Sequence, residues 1–397
     1  KTIQKSGLFP GKVRLIPSCA SRKAMIKWEK SMRDGKGLFQ MSFRHLIDFG
    51  DLTRAEWEEL YQRCAQIMDD PTAFTEACKG RIQANLFFEP STRTKFSFQT
   101  AMLRLGGTVF GFDDPNSSST AKGETLKDTI KMVSAYADVI VMRNPKEGAA
   151  KAASLYSEVP VINAGDGGHM HPTQTLADLT TIQRYRGAID GVSIGLCGDL
   201  KNGRTVHSLI KALAKFDDVK FYLISPRELA IPDYMRSFMQ ERGLWFREVT
   251  GLEPVLPRLD VLYMTRIQRE RFSDPLAYER NKGVYVLTQR KLARAKPDMM
   301  ILHPLPRVDE IALDVDDDPR ALYFEQARCG MYARMALLMD LACQPHRRPE
   351  PVAIGTHQLC RNPNCITLTE PYLPPLVKET PEGRCCAFCD QRLPEEG

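Results

Sequence analysis

Short apolar segments alternate with helical segments over most of this chain, and this alternation limits its possible folds more than any other feature. In chain order, the strand-like segments are IQANLFF, TVFGF, DVIVMR and VPVINAG, then VSIGLCG, VKFYLIS, DVLYMT and DMMILH. Helical segments such as TRAEWEELYQRCAQIM lie between them. Apolar strands that are separated by helices predict parallel sheets covered on both faces. We therefore predict the α/β class, with two doubly wound parallel-sheet domains.

The domain boundaries follow from these two series and from the composition of the chain ends. We predict a basic N-terminal arm over 1–37, a first domain over 38–170, a second domain over 171–324 and a small C-terminal module over 345–397. The helical segment at 325–344 is predicted to complete the first domain. The Pro-rich sequence QPHRRPEP is typical of a linker, and it joins this helix to the module.

The positive charge of the chain is concentrated at its N-terminus. The formal net charge is +6, and residues 1–36 hold ten Lys or Arg against two acidic residues. This arm therefore carries +8 and the remaining residues carry −2, which argues against a body that binds nucleic acid. Met25, Trp28 and Met32 would share one helical face, so we interpret the arm as packed on its own subunit or on a neighbour. Docking of the arm on a membrane or on nucleic acid, and a remnant of a targeting peptide, are the alternatives.

The sequence offers no candidate for a membrane anchor. No stretch approaches the roughly 18 consecutive apolar residues that a membrane helix needs, and no charged start leads into an apolar secretory core. We therefore expect a cytoplasmic protein that has neither membrane nor nucleic-acid partners.

Five of the eleven cysteines lie in the last 40 residues, and four of them have the spacing of a metal site. Four residues separate Cys360 from Cys365, two separate Cys386 from Cys389, and twenty lie between the pairs. Two such pairs point four thiolates at one ion, so we predict a structural zinc ion in a zinc-ribbon-like module. Disulfides are the alternative, which a reducing compartment disfavours. Cys385 can replace Cys386 only by changing the two-residue gap to three.

The sequence FFEPSTRT at 87–94 ends a predicted strand and opens a predicted helix. Ser91, Thr92, Arg93 and Thr94 offer three hydroxyls and one guanidinium, which are the donors that a phosphate or carboxylate needs. In open parallel sheets, ligands lie beyond the carboxyl ends of the strands, where helix N-termini present free amides. We therefore predict an anion site at this sheet edge.

Further polar side chains follow the other predicted strands and can face the same ligand. They are Arg143, His171, Gln174, Arg204, Arg266 and Gln268, together with the turn HPLPR after the last strand. A single arginine at such a place is more often part of a surface ion pair. Several arginines at strand ends instead predict a substrate pair that carries several negative charges.

These motifs, taken in order, are similar to the successive signatures of aspartate carbamoyltransferase catalytic chains. The resemblance covers 38–344 and rests on FFEPSTRTKFSFQTAMLRLGG, SSSTAKGETLKDT, VMRNPKEGA, NAGDGGHMHPTQTLADL, GDLKNGRTVHSL, YMTRIQRER and LHPLPRVDEI. STRT and HPTQ resemble the carbamoyltransferases as a whole, whereas TRIQRER and HPLPR resemble the aspartate branch. The ornithine branch, which typically carries Cys in place of Pro304, is the runner-up. The resemblance implies transfer of a carbamoyl group from carbamoyl phosphate to L-aspartate, the committed step of de novo pyrimidine biosynthesis.

The resemblance also implies roles for individual residues. The implied carbamoyl phosphate site consists of Ser91, Thr92, Arg93, Thr94, Arg143, His171, Gln174, Leu305 and Pro306. The implied aspartate site consists of Lys122, Arg204, Arg266 and Gln268. The catalytic candidates are Thr94, Lys122, Arg143 and His171, of which the last two would donate to the developing oxyanion. The departing phosphate can accept the amine proton, so no catalytic cofactor is implied.

Two histidines have structural alternatives to a role in the reaction. His171 begins a predicted helix, so it can instead cap that helix as a neutral imidazole. His303, in the turn after the last strand, is expected to brace the turn rather than to react.

Two segments bear on assembly. SSSTAKGE resembles a loop that members of the family extend into the neighbouring subunit's site, which implies a homotrimer with shared sites completed by Ser118 and Lys122. Ala121 stands where many relatives have a second Lys, which leaves the register around Ser118 open by one position. The module at 345–397 resembles the zinc domain of the separate regulatory chain of bacterial enzymes. That likeness implies docking on catalytic subunits, which would stabilise one trimer or pair two trimers.

Two other functions compete with an active transferase. A catalytically silent homologue that acts as a zinc-dependent scaffold would usually lose a substrate arginine, whereas Arg93, Arg143, Arg204 and Arg266 are all present. A zinc-ribbon nucleic-acid binder is disfavoured because the module has nearly balanced charge and few aromatic residues for stacking. We therefore expect an active enzyme.

Overall fold

The computed structural model describes residues 45–267, 275–281, 283–343, 360–380 and 383–394. The predictions for the N-terminal arm and for the Pro-rich linker lie outside these residues, as does the predicted role of Gln268.

A four-stranded sheet forms the N-terminal half of the fold, in the order β2-β1-β3-β4 with all neighbours parallel. Its strands are β1 (Ile82–Phe87), β2 (Thr108–Phe112), β3 (Val139–Asn144) and β4 (Val161–Asp166). The helices of this half are α1 (Arg54–Asp69), α2 (Thr92–Arg104), α3 (Leu126–Ser134), α4 (Ala149–Tyr156) and α5 (Pro172–Arg186). Strands β1, β3 and β4 are almost entirely buried, as continuous apolar runs require, whereas the edge strand β2 is largely exposed.

A five-stranded parallel sheet forms the second half, in the order β7-β6-β5-β8-β9. Its strands are β5 (Ser193–Cys197), β6 (Lys220–Ile224), β7 (Trp245–Val249), β8 (Val261–Met264) and β9 (Met300–Leu302). The helices of this half are α6 (Arg204–Leu213), α7 (Asp233–Glu241), α8 (Pro275–Asn281) and α9 (Gln289–Leu292). The predicted pair of parallel-sheet α/β domains is therefore confirmed. Strand β7 was not predicted from the sequence, because this largely exposed edge strand has no apolar run.

The long helix α10 (Tyr323–Ala342) joins the two halves. It packs against α1, α2 and α5, and its residues are buried on nearly every side, which explains its apolar sequence. Because α10 follows the last strand of the second sheet, the chain crosses back to the first half before it reaches the cysteine-rich module.

The module is a small unit that packs on the N-terminal half of the same chain. It contains the antiparallel hairpin of β10 (Val377–Thr380) and β11 (Gly383–Cys386). Its apolar residues share one buried cluster with strands β1 and β3 and helices α3 and α4. Glu147 donates its backbone N–H to Asn364 and accepts from Ile366, at 2.9 and 3.0 Å, so the two backbones pair directly. Within the described part of the chain, no helix is both long and apolar enough to cross a membrane.

Candidate active site

One cavity of about 690 Å³ opens where the carboxyl ends of the two sheets face each other. The predicted residues that line it are Ser91, Thr92, Arg93, Thr94, Arg143, His171, Gln174, Arg204, Arg266, Leu305 and Pro306. They come from the N-terminus of α2, the ends of β3 and β8, the starts of α5 and α6, and the turn after β9. Residues far apart in the sequence therefore share one polar cavity, as the strand-end argument predicts.

The first turn of α2 forms one wall of the cavity. Ser91 is the N-cap residue, but its side chain makes no capping hydrogen bond. The free amides of this turn and the positive end of the helix dipole favour an anion here. Burial, and next the charge of Arg143, lower the pKa of Arg93 from its ordinary value, so two positive charges influence each other in this wall.

Arg143 lies at the end of β3 with only 12% of its side chain exposed. It forms an ion pair with Glu89 at 2.7 Å and donates to the backbone oxygen of Ala164 at 3.2 Å. Its Nε atom is buried and has no hydrogen-bond partner among the described residues. Burial lowers the pKa of Arg143, and the Glu89 charge opposes that effect. A buried guanidinium with an unused donor is suited to an anionic or carbonyl ligand.

His171 is the N-cap residue of α5, and its side chain makes no capping hydrogen bond. The capping alternative is therefore not realised. Its Nε2 lies 3.5 Å from Nη1 of Arg143, which can only donate, so a neutral ring carries its proton on Nδ1. Nδ1 is buried and lacks a partner among the described residues. Burial, and then the charges of Arg204 and Arg143, hold the pKa of His171 well below 6.5.

Two arginines from the second half face this wall. Arg204 is the first residue of α6 and donates to the backbone oxygen of Gly167, which lies in the turn after β4. Arg266 follows β8 and lines the same cavity. Each arginine is half-buried, so its charge is only partly screened by water.

The turn after β9 places Leu305 and Pro306 at the rim of the cavity. His303 braces this turn, as expected: the backbone N–H of Leu305 donates to its Nδ1 at 2.7 Å, and its Nε2 lies 2.6 Å from Glu310. Leu305 has a φ of +52°, in the left-handed region. Two histidine bonds therefore hold a backbone conformation that leaves the carbonyls of this turn beside the cavity.

Lys122 and Ser118 are not brought to this cavity. Lys122 is exposed at the end of a short 3₁₀ turn, Ser119–Lys122, and it is absent from the cavity lining of its own chain. Ser118 uses its hydroxyl locally, bonding the backbone oxygen of Pro115 at 2.8 Å and Thr120 at 2.6 Å. A site that includes Lys122 therefore needs this loop from another copy of the chain.

The lining residues that were not predicted from the sequence include Gln326, Arg334 and Asn364. Arg334 lies on α10 with 5% exposure, donates to Ser97 at 2.8 Å, and has its pKa lowered to about 10 by burial. A lone arginine inside the apolar run MYARMALLM was the available signal for it. Asn364, between two cysteines of the module, carried no such signal.

The four predicted metal ligands form one buried cluster. The sulfur atoms of Cys360, Cys365, Cys386 and Cys389 all lie within 4.8 Å of one another, so they can hold a metal ion. Of the adjacent residues Cys385 and Cys386, it is Cys386 that belongs to this cluster, whereas the Cys385 thiol faces Gly383 and Thr380. Neighbouring residues of a strand point to opposite faces, which decides between these two cysteines.

A charged bridge links the module to the turn that precedes His171. His169 lies 3.0 Å from Asp166, at the end of β4, and 3.3 Å from Asp390, beside Cys389. Burial alone would lower its pKa, but the two carboxylates raise the pKa of His169 to about 10. The module therefore contacts both turns, 144–148 and 166–171, that carry cavity residues.

Comparisons with known proteins agree with this geometry. The family model for the aspartate/ornithine carbamoyltransferase carbamoyl-P binding domain matches residues 44–184, and that for the Asp/Orn binding domain matches 190–341. The aspartate carbamoyltransferase catalytic subunit of Clostridium perfringens is 59% identical over 299 residues, which are 75% of this chain and 97% of that protein.

Solved structures show the same relationship. The catalytic subunit of M. jannaschii aspartate transcarbamoylase is 47% identical, with a TM-score of 0.71 over 75% of this chain and 98% of that one. The Trypanosoma cruzi enzyme in complex with N-(phosphonacetyl)-L-aspartic acid is 38% identical, with a TM-score of 0.71 over 76% and 96%. Both family-model matches end before the cysteine module begins. The chain therefore belongs to the aspartate carbamoyltransferase family of transferases, and its two large domains correspond to the carbamoyl phosphate and aspartate binding domains of that family.

Proposed function

We propose that the shared cavity binds carbamoyl phosphate and L-aspartate side by side and transfers the carbamoyl group to the amine of aspartate. The observation that supports this most is that five arginines, one neutral histidine and one helix N-terminus converge on a single cavity. The products are N-carbamoyl-L-aspartate and phosphate, so the reaction would serve pyrimidine biosynthesis, as it does in the family. We propose the cytoplasm as its location.

The phosphate of carbamoyl phosphate would lie on the first turn of α2. Ser91, Thr92 and Thr94 supply hydroxyls, and Arg93 supplies a charge-assisted donor. Arg93 and Arg143 both line this wall, and their positive charge favours a dianionic group more than a monoanionic one. The phosphate leaving group would remain bound by these donors while it gains charge.

The carbonyl of carbamoyl phosphate would face Arg143 and His171. The buried Nε of Arg143 and Nδ1 of His171 have no partner among the described residues, so a ligand oxygen can use them without breaking an existing bond. A neutral His171 donates but adds no charge to a site that already holds several arginines. Donors that bind an oxyanion better than a carbonyl lower the barrier to the tetrahedral intermediate.

L-Aspartate would be held by its two carboxylates. Arg204 and Arg266 each present a guanidinium suited to bidentate contact, and Gln268 and a neighbouring subunit's Lys122 would add donors. The backbone carbonyls of Leu305 and Pro306 would accept hydrogen bonds from the amine or from the carbamoyl group. These contacts place the amine nitrogen against the carbonyl carbon, and such alignment supplies much of the acceleration.

The chemistry then needs no further group. The amine nitrogen forms a bond to the carbonyl carbon, the bond from that carbon to the phosphate oxygen breaks, and the phosphate takes a proton from the attacking amine. No catalytic cofactor enters this scheme.

Carbamoyl phosphate consumption with L-aspartate, and separately with L-ornithine, tests the proposal. Turnover with aspartate alone supports it, whereas turnover with ornithine alone would favour the ornithine reaction. No turnover with either amine, from folded protein with intact substrate binding, would favour the scaffold function instead.

We further propose a homotrimer whose sites are shared between neighbours. The observation behind this is that Lys122 is exposed outside its own cavity, in a loop that follows the exposed edge strand β2. Phe96 and Leu103 on α2, 57% and 60% exposed, offer apolar surface for a neighbour in the same half of the chain. The mass of the native assembly, measured in solution, tests this.

The metal of the module is proposed to be a structural zinc ion. Tetrahedral coordination at a zinc–sulfur distance of about 2.3 Å requires sulfur atoms about 3.8 Å apart. Cys360 and Cys389 are 3.5 Å apart, Cys365 and Cys386 are 3.9 Å apart, and all four sulfur atoms lie within 4.8 Å of one another, which is compatible with that geometry. Zinc would fix the module in the fold that docks on the N-terminal half, and paired trimers would arise if a module also reached a second trimer.

Chelation separates these functions of the module. Metal content, thermal stability and assembly mass should be followed together on the same sample. Loss of zinc with a lower melting temperature supports a stabilising role, and a fall in mass assigns the module to assembly. A chelated protein with unchanged stability and mass would refute both.

The domain division remains a proposal as well. We place the carbamoyl phosphate domain at 38–170, the aspartate domain at 171–324, and α10 with the first domain. The family models divide the chain after 184 instead, so α5 is the element that the two divisions assign differently.

A further inference from the structure

Beneath the floor of the cavity lies a buried carboxyl group, Asp178, that the proposed mechanism does not use. It lies on α5, one turn after Gln174, and it is fully buried. Three side chains donate to it: Gln174 Nε2 at 2.8 Å and Gln326 Nε2 at 2.6 Å to its Oδ1, and the hydroxyl of Tyr263 at 3.1 Å to its Oδ2. A buried carboxyl group with this many partners constrains each of them.

The direction of these hydrogen bonds is fixed from the far end of the network. The backbone N–H of His303 can only donate, and it donates to Oε1 of Gln326 at 2.9 Å. The other end of that amide, Nε2, must therefore donate to Asp178, which makes Oδ1 an acceptor. Gln174 meets the same Oδ1 and so also presents its NH₂ group to it.

The orientation of Gln174 follows from this chain of donors. With Nε2 directed to Asp178, the carbonyl Oε1 is the end left for the cavity, which Gln174 lines. Among the described residues, no donor reaches this oxygen. It therefore faces a ligand as a pure acceptor, and an acceptor there can recognise an N–H group but not a methyl group.

We propose that Asp178 is a positioning residue that locks the Gln174 amide with its oxygen toward the substrate, so that the site selects the amino group of a carbamoyl compound over the methyl group of an acetyl compound. This inference rests on the proposed function, in which Gln174 contacts the carbamoyl group. Asp178 would act on this selection without touching the substrate. Through Gln326, the selection of an amino group over a methyl group would also depend on the 303–306 turn.

The lock holds in both protonation states of Asp178. Burial raises the pKa of Asp178 to about 7, against the hydrogen bonds from Gln326, Gln174 and Tyr263. When the group is protonated, the proton can lie on Oδ2 toward Tyr263, whose hydroxyl can accept it. Oδ1 keeps both amide donors in either state.

A pair of unreactive ligands tests the selection directly. Phosphonoacetamide carries the NH₂ group, and acetonylphosphonate carries a methyl group in its place; calorimetry on the intact protein gives a dissociation constant for each. The wild type should bind the amide more tightly by about tenfold, because the ketone leaves the Gln174 oxygen unpaired. A wild-type ratio near one would overturn the proposal without any variant.

Variants then assign the selection to Asp178. Asp178→Asn keeps an acceptor for both glutamines and a donor for Tyr263, so its ratio should match the wild type. Asp178→Leu removes the acceptor, so the ratio should fall severalfold, toward the value that the Leu305 and Pro306 carbonyls alone would give, while phosphate affinity changes little. If the Leu variant does not fold, Asp178→Ala serves as the second disrupting variant, because its smaller side chain also lacks an acceptor.

A double-variant cycle excludes a merely structural effect. In a Gln174→Ala background the contribution of Gln174 to the ratio is already lost, so Asp178→Leu or Asp178→Ala should lower the ratio no further. A further fall in that background, or an unchanged ratio in the single disrupting variant, would contradict the proposal. Failure of the proposed function would look different, because then neither ligand would bind or the wild type would not transfer the carbamoyl group.

Discussion

Gly148 provides a direct test of how the cysteine module is held against the catalytic half. This glycine precedes α4 with a φ of +80°, and a Cβ atom added to it would lie 2.5 Å from Cβ of Phe388 and 2.6 Å from its backbone oxygen. Phe388 belongs to the module and is 2% exposed. Contacts this short force the module backbone to move away from α4.

The expected cost of Gly148→Ala has two parts. A residue with a Cβ in the left-handed region costs about 1–2 kcal/mol relative to glycine. Overpacking against Phe388 adds about 1–3 kcal/mol. Gly80→Ala is the matched control: its φ is +78°, and a Cβ there meets no atom within 4 Å, so only the first part applies.

Hydrogen exchange followed by mass spectrometry measures the difference. The amides of Glu147 and Ile366 form the backbone bonds between the catalytic half and the module, so their exchange reports undocking. A docking penalty of about 1–3 kcal/mol should accelerate these two amides about 5- to 150-fold in Gly148→Ala. Gly80→Ala should leave them at the wild-type rate.

Equal exchange at these amides in the two variants would refute the docked arrangement of the module. The amide of Cys386, which donates to Gln391 within the module, distinguishes release from unfolding. The Cys386 amide should stay protected from exchange if the module only undocks. If it loses its protection together with the Glu147 and Ile366 amides, the module has unfolded.

Three further predictions concern the active site. His171→Ala should lower kcat about 10²- to 10³-fold with little change in carbamoyl phosphate affinity. Because the pKa of His171 lies well below 6.5, the wild-type pH profile should show no loss of rate from protonation of His171 as pH falls through 6.5. A step in the profile at that pH would contradict a neutral donor. Arg266→Leu should raise the KM for aspartate at least about tenfold and leave carbamoyl phosphate binding unchanged, whereas equal effects on both substrates would argue against its proposed place. The Lys122→Ala and His171→Ala proteins should each be inactive alone. When trimers of the two variants are dissociated, mixed in equal amounts and reassembled, about a quarter of the native active sites should be restored. Mixed trimers that recover no activity would argue against shared sites.

The sequence by itself determined the class of fold and most of the candidate site. Continuous apolar runs such as those of β3 and β4 can only be buried between two layers of helices, so they fixed the parallel sheets. The polar residues that follow these strands then had to meet at one edge, since parallel strands all end on the same side. The cysteine spacing likewise brought four thiols together, because each pair is local in the chain.

Tertiary structure decided what depends on contacts between distant segments. β7 has no apolar run, and only its neighbour β6 makes it a strand. The direction of the hydrogen bonds to Asp178 is set by His303 through Gln326. Asn364 reaches the cavity only because the module docks beside Glu147. Lys122 matches the family motif, yet it lies outside the cavity of its own chain. Local patterns specify burial and chain direction, whereas the orientation of a hydrogen bond and the choice of neighbour arise only when the chain is packed.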